Sequence, residues 1–300
     1  MLKRTLVFTN PCRLNLKEGQ IRYRSIGLAD QIDRSIPLED VGFVMLENQA
    51  ITITSGLLQA LERNDTAVVL CDSTHHPCAV MQSYSGNTTH SETLRYQIEA
   101  TLPLKKRIWK EIVIKKIQNQ ARLLEHYELQ DATKLNAYAK TVKSDDSNNR
   151  EGLAAKIYWQ SLFGGISFRR ERDGDMPNGF LNYGYAVLRA AASRALIGSG
   201  LHCAIGIHHR NRYNAFCLVD DFMEPYRPFV DRIVYDLVQS GENGEELTPE
   251  LKEMLLSVLS VDVTFENRKR PLMVGLSESS AALARCIRGE SVDLCFPSLN

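Results

Sequence analysis

Tyr84-Ser85-Gly86-Asn87-Thr88-Thr89 divides this chain into two kinds of pattern. Upstream of it, apolar and β-branched residues recur in short runs: Thr5 to Phe8, Gln20 to Arg24, Gly42 to Leu46, Ala50 to Thr54 and Thr66 to Cys71. Such runs, set apart by turn residues, read as strands. Ser55 is placed to cap one short helix over Gly56 to Arg63, which Asn64-Asp65 ends. Downstream, from Ser91, apolar residues follow helical spacing, as at Ile108, Ile112, Ile117 and Leu124. Pro103 interrupts the first of these helices, and the polar run Lys143-Ser144-Asp145-Asp146-Ser147-Asn148-Asn149 separates later ones. The expectation is an α+β chain: a small, mainly antiparallel β domain over residues 1–86, then a larger all-α domain over residues 87–300.

Three hundred residues can bury a sizeable core, and a composition of 44% hydrophobic and 24% charged residues is that of an ordinary globular protein. The apolar run within Met1 to Pro11 is too short for a signal peptide, and no stretch approaches the length of a membrane span. The seven cysteines are odd in number and lack framework spacing, which predicts reduced thiols in a cytoplasmic setting. Formal net charge is zero, so no global field draws the chain to nucleic acid, and any such contact must come from local clusters. The strongest cluster is Lys105, Lys106, Arg107, Lys110, Lys115, Lys116 and Arg122, with Glu111 the only acid among them. A solvated helix face usually mixes signs, so this one predicts an anionic partner. Arg169, Arg170 and Arg172, and Arg268, Lys269 and Arg270, carry the same signal more weakly.

Cys71, His75, His76 and Cys78 match no common zinc spacing and are set aside. Another segment has more to offer. In Asp220-Asp221-Phe222-Met223-Glu224-Pro225-Tyr226-Arg227-Pro228, acids lie among apolar residues, and acids are seldom buried without a partner. Upstream of it stands Gly206-Ile207-His208-His209. Glu151 opens a helix whose small residues Gly152, Ala154 and Ala155 permit close packing, with Tyr158 on the same face two turns on. Glu151, His209 and Glu224 together offer oxygen and nitrogen ligands that suit Mn²⁺, or Mg²⁺ held with more water and phosphate oxygens. Arg227, one turn beyond Glu224, can reach a phosphate or hold a carboxylate. In the helical segment Asn178 to Arg189, rich in core-type aromatics, Asn182 and Tyr183 are the members open to a polar role.

Glu151-Gly152 with Ala154, Ala155 and Tyr158, then Asn182-Tyr183-Gly184-Tyr185, then Gly206-x-x-His209, then Asp221 to Pro228, occur in the order seen in one family. On these motifs the chain resembles, over essentially its full length, the CRISPR-associated adaptation integrase, the first-numbered CRISPR-associated protein. The resemblance implies a β-rich N-terminal domain for dimerisation and partner contacts, a helical catalytic domain, and metal ligands at Glu151, His209 and Glu224. It also implies a Mg²⁺- or Mn²⁺-dependent enzyme that inserts short DNA fragments into a CRISPR array as new spacers. Glu224 between Met223 and Pro225 resembles the versions found in type II systems. His202 and Cys203 stand where the family often has Asp or Pro, and are not read as catalytic.

The implied reaction is attack of a DNA 3′-hydroxyl on a phosphodiester, with Tyr158, Asn182 and Arg227, and less directly Lys156, donating hydrogen bonds near the phosphates. Lys105, Lys106, Lys110, Lys115, Lys116 and Arg122, with Arg169 and Arg170, would hold the backbone of double-stranded DNA, both the incoming fragment and the array. Asp220 and Asp221 are open to three roles: positioning the helix, supporting the ligands or contacting DNA. Two other functions use the same residues: a metal-dependent endonuclease whose nucleophile is water, and a noncatalytic DNA-binding scaffold. Partners implied by the resemblance are a homodimer mate and a small ferredoxin-like adaptation protein. A type II effector nuclease and a ring-shaped accessory protein join that set, and no membrane does.

Overall fold

A computed structural model gives the fold and describes residues 3–27, 32–75, 77–81, 83, 87–166, 168–171, 174–242, 247–265 and 268–299. The boundary residues Tyr84, Ser85 and Gly86 lie outside these, as do His76 and Arg172. The chain divides into two compact units, Met1–Tyr84 and Ser85–Asn300.

The first unit runs β1 (Arg4–Phe8), β2 (Cys12–Lys17), β3 (Gln20–Ser25), β4 (Asp33–Pro37), β5 (Val41–Leu46), β6 (Thr52–Ile53), α1 (Ser55–Arg63), β7 (Ala67–Cys71) and β8 (Pro77–Met81). Two four-stranded sheets form, ordered β1-β5-β7-β8 and β4-β3-β2-β6. Within the expected α+β plan, the strands of both sheets are mixed in direction. β5 runs parallel to β1 and to β7, and β6 runs parallel to β2; β2-β3-β4 and β7-β8 are antiparallel. β5 is buried at every position, which is why Val41 to Leu46 is a continuous apolar run rather than an alternating one. Thr54, not Ser55, caps α1, its Oγ1 accepting from Leu57 N at 3.3 Å. Leu57 and Leu61 on the inner face of that helix join Leu14, Ile21 and Val44 in the core.

The second unit begins with α2 (His90–Glu99), α3 (Leu102–His126), α4 (Ala132–Lys140), α5 (Arg150–Leu162) and α6 (Asn178–Gly198). It continues with α7 (Cys217–Met223), α8 (Arg227–Gln239), α9 (Pro249–Leu256), β9 (Asp262–Phe265), β10 (Arg268–Pro271) and α10 (Leu272–Ile287). The β9–β10 hairpin means that the unit is mostly rather than wholly helical, and it turns Arg268, Lys269 and Arg270 into strand residues. Pro103 starts α3 instead of interrupting a helix: it lies in the first turn, after Thr101, whose Oγ1 accepts from Leu104 N at 3.5 Å. Among the described residues, no helix is long and apolar enough to cross a membrane.

α3 is the axis of this unit. It packs against α4, α5, α8 and the 3₁₀ turn Glu224–Tyr226, and Ile108, Trp109, Ile112, Val113, Ile117 and Leu124 are buried along it. Its buried Asn119 ties three segments together: Nδ2 donates to Pro225 O at 2.8 Å and to Pro297 O at 3.1 Å, and Oδ1 accepts from Leu299 N at 3.1 Å. On α6, Gly184 lets α8 approach so closely that an added Cβ would collide with Val230 Cγ1. Overpacking of this kind costs about 1–3 kcal/mol, more than the ~1 kcal/mol that Ala gains over Gly in a helix. Gly184→Ala is expected to lower stability by about 1–2 kcal/mol in urea denaturation; a midpoint at or above that of the wild type would contradict this packing.

Candidate active site

Three segments bring charge together in the second unit. Glu151 lies in the first turn of α5, where Asp146 caps the helix: its Oδ1 accepts from Arg150 N at 2.8 Å and its Oδ2 from Glu151 N at 3.0 Å. Glu224 begins the 3₁₀ turn between α7 and α8 and is 5% exposed. Between them stands Lys116 of α3, its Nζ 2.6 Å from Glu151 Oε1 and 2.6 Å from Glu224 Oε2. The second contact lacks hydrogen-bond geometry, so Glu224 Oε2 is buried in ion-pair contact but without a hydrogen-bond donor. Arg227 completes the pair from the other side, Nε donating to Glu224 Oε1 at 2.8 Å.

Burial alone would raise the Glu224 carboxyl, but the Arg227 and Lys116 charges outweigh it and bring the group down to about 2. Burial likewise disfavours the charged Lys116, and the two carboxylates reverse that, raising it above the usual lysine range.

His209 is held by a second buried carboxylate. Asp221 is fully buried, and its oxygens accept from Ile207 N at 2.7 Å, His208 N at 2.9 Å, His209 N at 3.2 Å and His209 Nδ1 at 2.5 Å. That hydrogen bond raises the imidazole, with burial opposing, and it occupies Nδ1, which leaves Nε2 as the nitrogen for a ligand. The loop can fold onto Asp221 because residue 206 is glycine. A Cβ there would collide with His209 O and lie 2.9 Å from Cys217 Cβ. His208 is turned elsewhere: its ring stacks on Trp109 at 4.3 Å, and Nδ1 lies 3.6 Å from Asp145. Of the roles open to the two acids, Asp221 positions His209, and Asp220 pairs with Arg189 and accepts from Asn214 Nδ2 at 2.7 Å.

The expected ligands Glu151, His209 and Glu224 are not assembled into one cluster. Among the described residues, no three His, Cys, Asp or Glu side chains stand together as a metal-binding group. The assembled unit is a carboxylate pair bridged by an ammonium.

Beside it lies a cavity of about 140 Å³ whose lining includes Lys116, Arg170, Tyr185, Glu224, Arg227 and Asp231. Tyr158 does not line it as a phosphate donor. It is fully buried and its hydroxyl donates to Asp231 Oδ2 at 2.7 Å, so that expected role is corrected. Tyr185 donates to the other Asp231 oxygen. Asn182 Oδ1 accepts from Arg170 Nη2 at 2.7 Å, and Asn178 Oδ1 from Arg170 Nη1 at 2.9 Å, so both amides orient a guanidinium. Arg227 and Arg170 also lie over the Tyr185 ring, at 4.5 and 5.4 Å.

The basic cluster on α3 is not one stripe. At about 100° per residue, its members spread around the whole helix. Lys116 turns inward to the carboxylates, Lys115 donates to Ser298 Oγ at 2.8 Å, and Arg122 donates to Leu299 O at 3.3 Å. Lys106 pairs with Asp145 at 3.4 Å. Lys105 and Lys110 remain half-buried, and Arg169 is exposed beside Glu171. Sequence reasoning assigned Lys116 to the DNA backbone rather than to the two carboxylates, and it did not single out Asp231 or Arg189. The place of Lys116 was hidden because its charge matched its neighbours', and only its helix phase set it apart.

The family described as CRISPR associated protein Cas1 matches residues 5–259. A curated relative, CRISPR-associated endonuclease Cas1 of Neisseria meningitidis serogroup C, is 37% identical over 89% of this chain and 86% of its own length. In fold, the chain is similar to a casposase solved bound to its integration product, with a TM-score of 0.79 at 18% identity, covering 98% of this chain and 92% of that one. It is similar also to a chain of a Cas6-RT-Cas1–Cas2 complex, with a TM-score of 0.70 at 20% identity, covering 96% of this chain and 35% of that one. This chain belongs to the CRISPR-associated Cas1 family, a family of endonucleases.

Asp231 yields a pH signature. Burial pushes its carboxyl from 3.8 up to about 6, although the Tyr185 and Tyr158 hydroxyls favour the charged form. The folded chain therefore holds this proton more tightly than the unfolded chain, and the resulting stability is full below pH 3.8 and lost as pH rises through about 6. Asp231→Asn is expected to flatten the fall of Tm across that window, and an unchanged slope in the variant would contradict the assignment. Glu224, lowered from 4.5 to about 2, acts in the opposite sense and at lower pH, so the two contributions separate.

Proposed function

We propose that this chain is a divalent-metal-dependent DNA integrase of CRISPR adaptation, inserting short DNA fragments as new spacers at the repeat. The observation that carries this reading is that Glu151 and Glu224, from segments far apart in sequence, share Lys116, and that Lys116 and Glu224 line a cavity together with Arg170 and Arg227. The residues fit a divalent ion by kind. Two carboxylates offer oxygens, of which Glu224 Oε2 is buried without a hydrogen-bond donor, and an imidazole with Nδ1 already taken offers its second nitrogen. Glu151, Glu224 and His209 would hold the ion, Mn²⁺ or Mg²⁺, which when bound supplies charge stabilisation at the nonbridging phosphate oxygens.

The chain's own groups do the rest. In the transesterification, a 3′-hydroxyl of the incoming fragment loses its proton and forms a P–O bond. The bond from that phosphorus to the displaced 3′-oxygen breaks, and that oxygen takes up a proton. One phosphodiester is exchanged for another, so no oxidant or energy-carrying co-reactant is consumed. Asp221 fixes the imidazole, Arg227 fixes Glu224, and Arg170, oriented by Asn178 and Asn182, faces the cavity as a phosphate-binding fork. The casposase similarity supports joining, and the name endonuclease carried by the Neisseria relative favours a second reading, hydrolysis at the same site. The Cas6-RT-Cas1–Cas2 similarity supports assembly with a Cas2-type partner, and the sequence resemblance implies that this partner is small and ferredoxin-like and that the chain acts as a homodimer. The Met223-Glu224-Pro225 context supports a type II system, with its effector nuclease and ring-shaped accessory protein as further partners.

Incubation with the small partner, a short duplex bearing 3′-hydroxyl ends, supercoiled array plasmid and Mn²⁺ is expected to yield covalently joined DNA. Glu151→Ala, His209→Ala and Glu224→Ala should each lower joining by at least about a hundredfold while leaving DNA binding intact, and full activity in the three would sink the site. Cleaved ends without joined product would favour hydrolysis. Lys105→Glu with Lys110→Glu should weaken DNA binding and reduce the slope of log K against log salt by about 1–2; an unchanged slope removes α3 from the interface.

A further inference from the structure

Lys116 belongs to no ligand set, yet it is the most central charge of the site. Its side chain is 12% exposed and its Nζ lies 2.6 Å from an oxygen of each carboxylate. With Arg227 on the far side of Glu224, two positive charges face two negative ones, and the four groups sum to zero. Two bare carboxylates would present −2 to a divalent ion and balance its charge without DNA. The actual set presents no net charge, so an entering ion leaves an excess of +2. A partly buried excess of that kind is costly until an anion joins it. The backbone phosphates of DNA are such anions, and the cavity next to Lys116 is lined by Arg170 and Arg227 as well.

We infer that Lys116 makes divalent-ion loading conditional on DNA: the resident ammonium neutralises in advance the carboxylates that would otherwise hold the ion alone, so ion and DNA bind cooperatively. This rests on the proposed metal site and DNA substrate. Lys116 is thereby a positioning residue, acting on the ion through Glu151 and Glu224. The coupling is reciprocal, so the ion must also tighten DNA. Its biological effect would be to keep the phosphodiester chemistry off until a substrate is seated.

The coupling can be read from Mn²⁺ binding, followed by the electron paramagnetic resonance signal of free Mn²⁺, with the full chain alone and with a short 3′-hydroxyl duplex. The wild-type chain should bind Mn²⁺ roughly ten- to a hundredfold more tightly with the duplex present. Lys116→Met should bind it tightly without DNA and gain little from the duplex, whereas Lys116→Arg, which keeps the charge, should couple as the wild type does. Wild-type coupling in a folded Lys116→Met would overturn the role of Lys116. The wild-type titrations decide even if that variant does not fold, since equal Mn²⁺ affinity with and without duplex overturns the inference. Unchanged Mn²⁺ binding in Glu151→Ala would overturn the site itself, an outcome distinct from a normal loss in Glu151→Ala with coupling untouched in Lys116→Met.

Discussion

An ammonium shared between two carboxylates, Lys116 with Glu151 and Glu224, is the constraint on which the helical unit depends. Taking such charges out of water is expensive, and removing Lys116 would leave Glu224 with Arg227 alone and take from Glu151 its ammonium partner. The pair of contacts is met only if α3, α5 and the turn after α7 lie side by side. The apolar residues of α3 supply that packing, and Asn119, close to one turn beyond Lys116, fixes the Glu224 turn by donating to Pro225 O. Helical periodicity thus leads to packing, packing to a charge cluster, and the cluster to a site where phosphodiester chemistry can be placed.

The buried carboxylates of this unit show how partners, not burial alone, set ionisation. Glu224 and Asp231 are 5% and 1% exposed. Glu224 faces two full cations and is held at about 2, whereas Asp231 faces two phenol hydroxyls and is pushed up to about 6. Glu224 is therefore ionised well into the acid range, as its proposed role of oxygen ligand requires. Asp231 fastens α5 and α6 to α8 through Tyr158 and Tyr185. Asp221 illustrates a third arrangement, its oxygens accepting from three backbone N–H groups and one imidazole nitrogen.

Much of this could be read from the chain. The plan of strand runs followed by helical spacing was legible, and the element order follows it. The short strands Asp33–Pro37 and Pro77–Met81 escaped because Asp-Arg-Ser-Ile-Pro and Pro-Cys-Ala-Val-Met lack alternation, and their pairing comes from neighbours. Strand direction escaped because local patterning does not encode it, although the unbroken apolar run of β5 was a hint. Glu151 and Glu224 were legible as candidates from their local context, but the place of Lys116 between them was not, because its partners lie 35 and 108 positions away and nothing local distinguishes it from Lys115, with which it was assigned to DNA. Tyr158 was misread for the same reason: its face of the helix was recognised, but its partner Asp231, 73 residues on, was not.

The central claim, that Glu151, His209 and Glu224 together hold one divalent ion beside a DNA phosphate, has a direct measurement. Crystals grown with a short 3′-hydroxyl duplex and Mn²⁺ should give an anomalous difference peak at manganese wavelengths within ligand distance of both carboxylates and of His209 Nε2. A well-occupied duplex with no peak there, or with manganese bound only elsewhere on the chain, would contradict it.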